Sequence, residues 1–152
     1  MELDTKVYKS ILESEVTVKE SNYKSYDVTS VKQIGIANFT NFNQVNNRLY
    51  TISYECIYFN GDIEETRIDK EKNPSDEEKE ILKKYALLAI SIIANVTLDQ
   101  DIELYDSKTD IINQLIWNKI YPSIRSEVDF HLSKNDYPKF TLFRMLEGES
   151  SD

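Results

Sequence analysis

The chain has little of what usually staples or punctuates a small protein: one cysteine, one histidine, three glycines and three prolines in 152 residues. A lone Cys56 can form neither an intramolecular disulfide nor a thiolate zinc site, which fits a reducing compartment. A lone His131 removes paired-imidazole metal ligation and leaves nucleophile–base catalysis one candidate. Gly35, Gly61 and Gly148 stand apart, so no glycine-rich loop is available to cradle a phosphate. The start, MELDTKVYKS, lacks the apolar core of a secretion signal, and the longest apolar run, around Ala86 to Ala94, is too short to span a bilayer. The expectation is a cytoplasmic protein with no membrane partner. Basic residues are also scarce. With 18 Lys and Arg against 27 Asp and Glu the formal charge is -9, the wrong sign for neutralising nucleic-acid phosphates or an anionic lipid surface. Such a field tolerates basic or unfolded polypeptide partners.

What is there is enough for one domain over residues 1–152, with Glu147 to Asp152 expected as a disordered acidic tail. A chain of this length can bury roughly two thirds of the surface it exposes when unfolded, so no staple is required. The stretch that organises the rest runs from Thr109 to Phe143. Ile112, Ile116, Ile120, Ile124, Val128 and Leu132 recur every four residues, which on a helix makes one apolar stripe. Ser107 or Thr109 can cap it. Pro122 lies inside it, lacks the N–H that would bond the Asn118 carbonyl, and predicts a kink or restart there. Asn135-Asp136 and Pro138 end it, before a short apolar piece at Phe140 to Phe143.

That stripe needs a flat apolar partner, and the upstream chain reads as strands. Val7 to Lys19 places Tyr8, Leu12, Val16 and Val18 on one face, and Ser21 to Ser30 reads as a connection. Val31 to Val45 is a second strand, where Gly35 and the interleaved asparagines predict a bulge or bend. Asn46-Asn47 predicts a hairpin into Arg48 to Phe59, in which Tyr50, Ile52, Tyr54, Cys56 and Tyr58 share a face until Ile57 and Phe59 break the alternation. Asn60-Gly61-Asp62 reads as the next turn. Two readings compete from Ser75 onward. Ser75 with Glu78 is a capping box that favours a helix from Asp76 to about Asn95, whereas the β-branched alternation of ISIIANVTL favours a strand. The expectation is a strand from about Tyr85 to Leu98 after a charged, partly helical connection. The fold class is therefore α+β: a four-stranded antiparallel sheet with one long kinked C-terminal helix on one face.

Catalytic chemistry is sparse. His131 falls on or beside the apolar stripe, where a half-buried structural role competes with a catalytic one. Cys56 among Tyr54, Ile57 and Tyr58 reads as a buried small thiol. The acidic clusters at Asp62, Asp76 and Asp99 lack the ligand spacing, central glycine and terminal glutamate of a calcium loop. The sequons at Asn38 and Asn95 fall inside strands. No metal, no cofactor and no enzymatic activity are expected. The supply of aromatics stands out instead, with ten Tyr, six Phe and one Trp, residues suited to gripping apolar segments on a surface that stays soluble.

The run from Leu115 to Glu127, LIWNKIYPSIRSE, followed by Tyr137-Pro138, resembles the SecB-type export chaperones, which carry an aromatic-Pro-x-x-Arg stretch in a long helix and a proline-containing turn after it. Tyr121, Pro122 and Arg125 match the helix motif, and Pro138 matches the turn. The order of strands first and helix last is similar too, as is the acidic charge. The resemblance implies binding of apolar segments of non-native chains without ATP, in a groove between sheet and helix whose expected lining is Phe39, Phe42, Tyr54, Tyr58, Trp117 and Tyr121. It also implies a homo-oligomer, a dimer or a dimer of dimers. Dedication to a single protein partner is a variant within the same resemblance. The rival reading is an acidic interaction protein, for example a phage-borne or regulatory inhibitor whose surface mimics nucleic acid and which binds one basic folded partner.

Overall fold

The computed structural model describes residues 5–26, 31–67, 75–101 and 109–135. The elements are α1 (Thr5–Leu12), β1 (Glu15–Ser25), β2 (Ile34–Gln44), β3 (Leu49–Asn60), a short 3-10 turn (Glu64–Thr66), α2 (Asp76–Lys84), β4 (Ala86–Thr97) and α3 (Thr109–Lys134). The four strands form one sheet in the order β1-β4-β3-β2, every neighbouring pair antiparallel. The α+β class, the four strands and the long C-terminal helix are as the residue patterns predict. The expected tail at 147–152, the cap at Ser107, the Pro138 turn and the apolar piece Phe140 to Phe143 lie outside the described residues.

The organising stripe is real. Ile112, Ile116, Ile120, Ile124, Val128 and Leu132 are all buried, and α3 lies across β4 and β1 with α1 beside it. The helix does not restart at Pro122; it runs through it. Asn118 and Pro122 both face solvent, so water can take the carbonyl that the proline leaves without a backbone donor. At the C-terminus the backbone N–H and the side-chain Nδ2 of Asn135 both donate to the His131 carbonyl, at 3.2 and 2.8 Å.

The first strand differs from expectation. Residues 5–12 are helical and the strand begins only at Glu15. Val7 and Ile11, four apart, face the main core, while Tyr8 and Leu12 are exposed, so the decisive period here is helical and not two. Ser14 Oγ donates to the Ile11 carbonyl at 2.6 Å and Lys119 Nζ to the Leu12 carbonyl at 2.6 Å, which satisfies the end of this short helix. β1 then continues to Ser25, through residues that read as a connection. A bulge between Val18 and Glu20 is the reason. It inserts Lys19 and places Ser21 and Tyr23 in line with Val16 and Val18, which breaks the alternation.

β2 departs in the opposite sense. It pairs with β3 from Ile34 to Gln44 without a register shift, so the expected bulge is absent. Gly35 serves packing instead: a Cβ there would overlap the ring of Phe59 on the neighbouring strand. The hairpin after it is held by Asn46, whose Oδ1 accepts from the N–H groups of Arg48 and Leu49 at 2.8 and 3.0 Å. From Ser75 onward both competing signals are used in turn. The capping box is formed, with Ser75 Oγ accepting from Glu78 N–H at 3.2 Å and Glu78 Oε1 from Ser75 N–H at 2.9 Å, and the helix it starts ends at Lys84. The β-branched run then forms β4.

The sheet has two apolar layers of unequal size. On the α3 side Tyr50, Ile52, Tyr54, Cys56 and Tyr58 of β3 and Leu88, Ile90, Ile92, Ala94 and Val96 of β4 join the helix stripe in one continuous core. On the other side Ala37, Phe39, Ile57 and Phe59 meet Leu82 of α2 and Ala86 in a smaller cluster.

Candidate functional site

The six aromatics expected to line one groove are distributed over both sides of the sheet. Tyr54, Tyr58 and Trp117 are fully buried in the main core. The rings of Tyr54 and Trp117 lie 6.0 Å apart, and Trp117 meets Tyr121 edge-on at 6.1 Å, so the three make a chain from the sheet outward. Tyr54 hydroxyl donates to Asn38 Oδ1 on β2. Burial pushes that phenol far above its ordinary range. Trp117 Nε1 is buried with no acceptor among the described residues, so the ring packs there as an apolar filler. Tyr121 is half-buried at the helix surface, and its hydroxyl accepts from an Arg125 nitrogen at 3.3 Å. Arg125 also approaches Asp129 at 3.9 Å, so two of the residues that carry the SecB resemblance bond each other while Pro122 stands exposed between them.

Phe42 is half-buried on β2 and packs on the edge of the main core. Phe39 points to the opposite face. It floors a groove of about 490 Å³ together with Thr40, Asn41 and Ser53, and the rim carries Glu55, Asp76 and Lys79. Lys79 Nζ stands 5.2 Å from the Phe39 ring centroid, and Lys83 Nζ lies 3.5 Å from Glu55 Oε2, so α2 frames the groove by a cation–π contact and an ion pair. Phe39 is thus the one apolar residue of the lining, among the polar Thr40, Asn41 and Ser53, and the rim is mixed in charge; the groove runs beside the β2 edge.

That edge was the feature the residue patterns left unremarked. Every residue from Gln33 to Asn47 is uncharged, although 30% of the chain is Asp, Glu, Lys or Arg. Ile34 and Ile36 are 50% and 40% exposed along it, and Val45 follows at its end. The signal was in the sequence as a gap in charge, not as a motif.

His131 is buried at the far end of α3 against β1. Its Nε2 and Ser21 Oγ are 2.7 Å apart, Tyr23 and Phe130 flank the ring at 5.3 and 5.5 Å between centroids, and Nδ1 is buried without a partner among the described residues. The Ser21–His131 contact ties the far end of α3 to β1. Burial lowers the imidazole below its ordinary value, with Lys134 adding to that and Glu127 opposing it. Cys56 is fully buried and its thiol is pushed up to about 12 by burial, which leaves it unreactive. Among the described residues no three His, Cys, Asp or Glu side chains converge as a metal site would require, and no helix is long and apolar enough to cross a membrane.

No protein-family model matches the chain, and no characterised protein sequence does. Among solved structures it is similar to the SecB-like chaperone Rv1957 of Mycobacterium tuberculosis, determined in complex with a ChAD peptide from the HigA1 antitoxin Rv1956. The likeness has a TM-score of 0.52 and 11% sequence identity, and covers 91% of this chain and 96% of that one. At that identity it establishes a SecB-like fold.

Proposed function

We propose that this chain is a SecB-like, ATP-independent holdase, which binds apolar extended segments of non-native polypeptides or of one dedicated protein partner. The observation that carries this reading is the uncharged surface along β2, with the Phe39-floored groove beside it, on an otherwise strongly acidic protein of SecB-like fold. Phe39 and Phe42 are the contact residues of choice, and Tyr121 is a further one on the helix side. Tyr54, Tyr58 and Trp117 support them from beneath, by holding the sheet and α3 at fixed spacing. The action is physical: an apolar side chain entering the groove leaves water, and a bound segment is withdrawn from aggregation by mass action. A mixed-charge rim on an acidic body accepts flanking basic residues, which suits export clients and antitoxin-type segments alike. The Lys83–Glu55 ion pair beside the groove is partly solvent-exposed and adds little to affinity.

The test is suppression of aggregation of a chemically unfolded, unrelated protein at near-stoichiometric amounts without ATP, alongside titration with an unstructured apolar peptide. Ser53 lies on the central strand β3 inside the groove, and Ser53→Glu should abolish both effects while leaving the melting curve nearly unchanged. A wild-type protein that leaves aggregation untouched and instead binds a basic folded partner, with affinity falling steeply in salt, would replace this reading with the acidic inhibitor.

A further inference from the structure

Phe39 floors the groove, yet only 6% of that residue is exposed, and the rest of the lining is polar or charged. An apolar side chain entering the groove as it stands would bury little apolar surface, and such burial is the source of its affinity. The apolar area lies under α2. There Ala37, Phe39, Ile57, Phe59 and Ala86 form one buried cluster, and Leu82 of α2 is the side chain that packs into it.

The contacts of α2 are those that a bound segment would make. Leu82 fills the apolar cluster, Lys79 holds its ammonium 5.2 Å from the centroid of the Phe39 ring, and Lys83 pairs with Glu55 at 3.5 Å. The site is thus occupied by an apolar residue with lysines on either side of it in the chain. The hold on α2 is light. The helix is nine residues long, too short to persist alone, Leu82 is its one buried residue, and the ion pair is partly open to water. Its end at the sheet is firmly placed: the Tyr85 carbonyl accepts from Asn60 N–H at 3.0 Å, and β4 begins at the next residue. Movement of α2 about Tyr85 therefore uncovers the cluster and leaves the strand pairing intact.

We propose that α2 is a built-in occupant of the groove, displaced about Tyr85 when a partner segment with an apolar side chain between basic ones takes its place on Ala37, Phe39, Ile57 and Phe59. The proposal rests on the holdase reading and adds to it how the site is kept closed and what its ligand carries. The charge of the site agrees. Once Lys79 and Lys83 leave, Glu55 remains on the sheet beside Phe39, on a protein of formal charge -9, and a basic residue restores the balance. The apparent affinity of such a site is its intrinsic affinity reduced by the fraction of time that α2 is displaced, so loosening α2 tightens binding. A helix that only supports the groove behaves in the opposite way, because loosening it damages the site.

The probe is a labelled, unstructured peptide with leucines flanked by lysines in a glycine–serine background, titrated into the full chain by fluorescence anisotropy. Ser75→Ala removes the capping box at the end of α2 away from Tyr85, at a residue that does not line the groove, and should tighten binding by about threefold. Leu82→Ala removes the occupying side chain and should tighten it by about tenfold or more, although the protein is less stable. A third protein, Glu55→Cys with Lys83→Cys, lets a short bismaleimide lock α2 onto the sheet, the native Cys56 being buried and unreactive. Locking should weaken binding by about tenfold or more relative to the same protein before crosslinking. Affinity that is unchanged or weakened in Ser75→Ala, or unchanged on locking, would overturn the proposal; if Ser53→Glu still abolishes binding in that case, the holdase reading stands without it. A peptide that binds neither wild type nor the two loosened variants would overturn both.

Discussion

The two faces of the sheet show how differently one set of strands can be used. On the α3 face every second residue of β3 from Tyr50 to Tyr58, and of β4 from Leu88 to Val96, is buried beneath a helix that supplies a buried residue at each turn. On the other face, among the described residues, the end near Ile57, Phe59 and Ala86 is covered by the nine-residue helix α2, and the rest presents Ser53, Glu55, Ser91 and Asn95. Thr51 Oγ1 donates to Asn95 Oδ1 there at 3.0 Å, a polar cross-strand pair between β3 and β4, which on the first face meet through apolar side chains. The covered face therefore holds most of the buried apolar contacts of the described fold, and the other face keeps polar side chains in reach of solvent. The groove forms where the two regimes meet on that open side, at the rim of α2.

Substitutions that truncate an apolar side chain should rank accordingly. Trp117→Ala removes the largest fully buried side chain, from the centre of the covered face between Tyr54 and Tyr121. A loss of about 3–5 kcal/mol in urea unfolding is expected, with one cooperative transition. A loss below about 1 kcal/mol would mean that the ring is not enclosed and would erase the contrast between the faces. Leu82→Ala acts on the open face, where Leu82 is the fully buried contact of α2. Its cost should be about 2–3 kcal/mol, at the low end for a buried leucine because a short surface helix can settle into the gap. Hydrogen exchange should show α2 opening while β4 stays protected. Simultaneous loss of protection in α2 and β4 would show that the two faces unfold as one unit.

Much of this arrangement is legible in the residues, and the illegible parts share a cause. The four-residue recurrence from Ile112 to Leu132 and the alternation from Tyr50 to Tyr58 each report a single buried face, so period alone finds them. The break at Ile57 and Phe59 is informative as well: both faces of β3 are covered there, because α2 lands behind it. Legibility fails where an element has two roles. At Val7 to Leu12 the spacing of Val7 and Ile11 competes with that of Tyr8 and Leu12, and only the docking of α1 beside α3 decides between them. β1 is misread because the bulge at Lys19 shifts its phase, and Gly35 suggests a bulge where it makes room for Phe59. The aromatics follow the same rule. Composition counts rings but does not say which side of a sheet they take, and the sheet divides Phe39 from the other five aromatics.

The smallest effect expected concerns the one titratable ring on the covered face. Burial holds the imidazole of His131 below 6.5, its ordinary value, whereas in the unfolded chain the ring titrates near that value. As pH falls through about 6.5 the unfolded chain therefore binds a proton that the folded chain does not, and stability is lost. Above that range both forms are neutral and His131 contributes no slope. The carboxylates are common to wild type and variant, so comparison with His131→Gln isolates the imidazole. Urea unfolding of both proteins at pH 7.5 and 5.5 should show wild type losing more stability between the two values than the variant does. Parallel losses would mean that the ring charges freely in the folded protein, and that the far end of α3 is open to water. A larger loss in the variant would reverse the sign, and would make Glu127, not burial, the stronger influence on the ring.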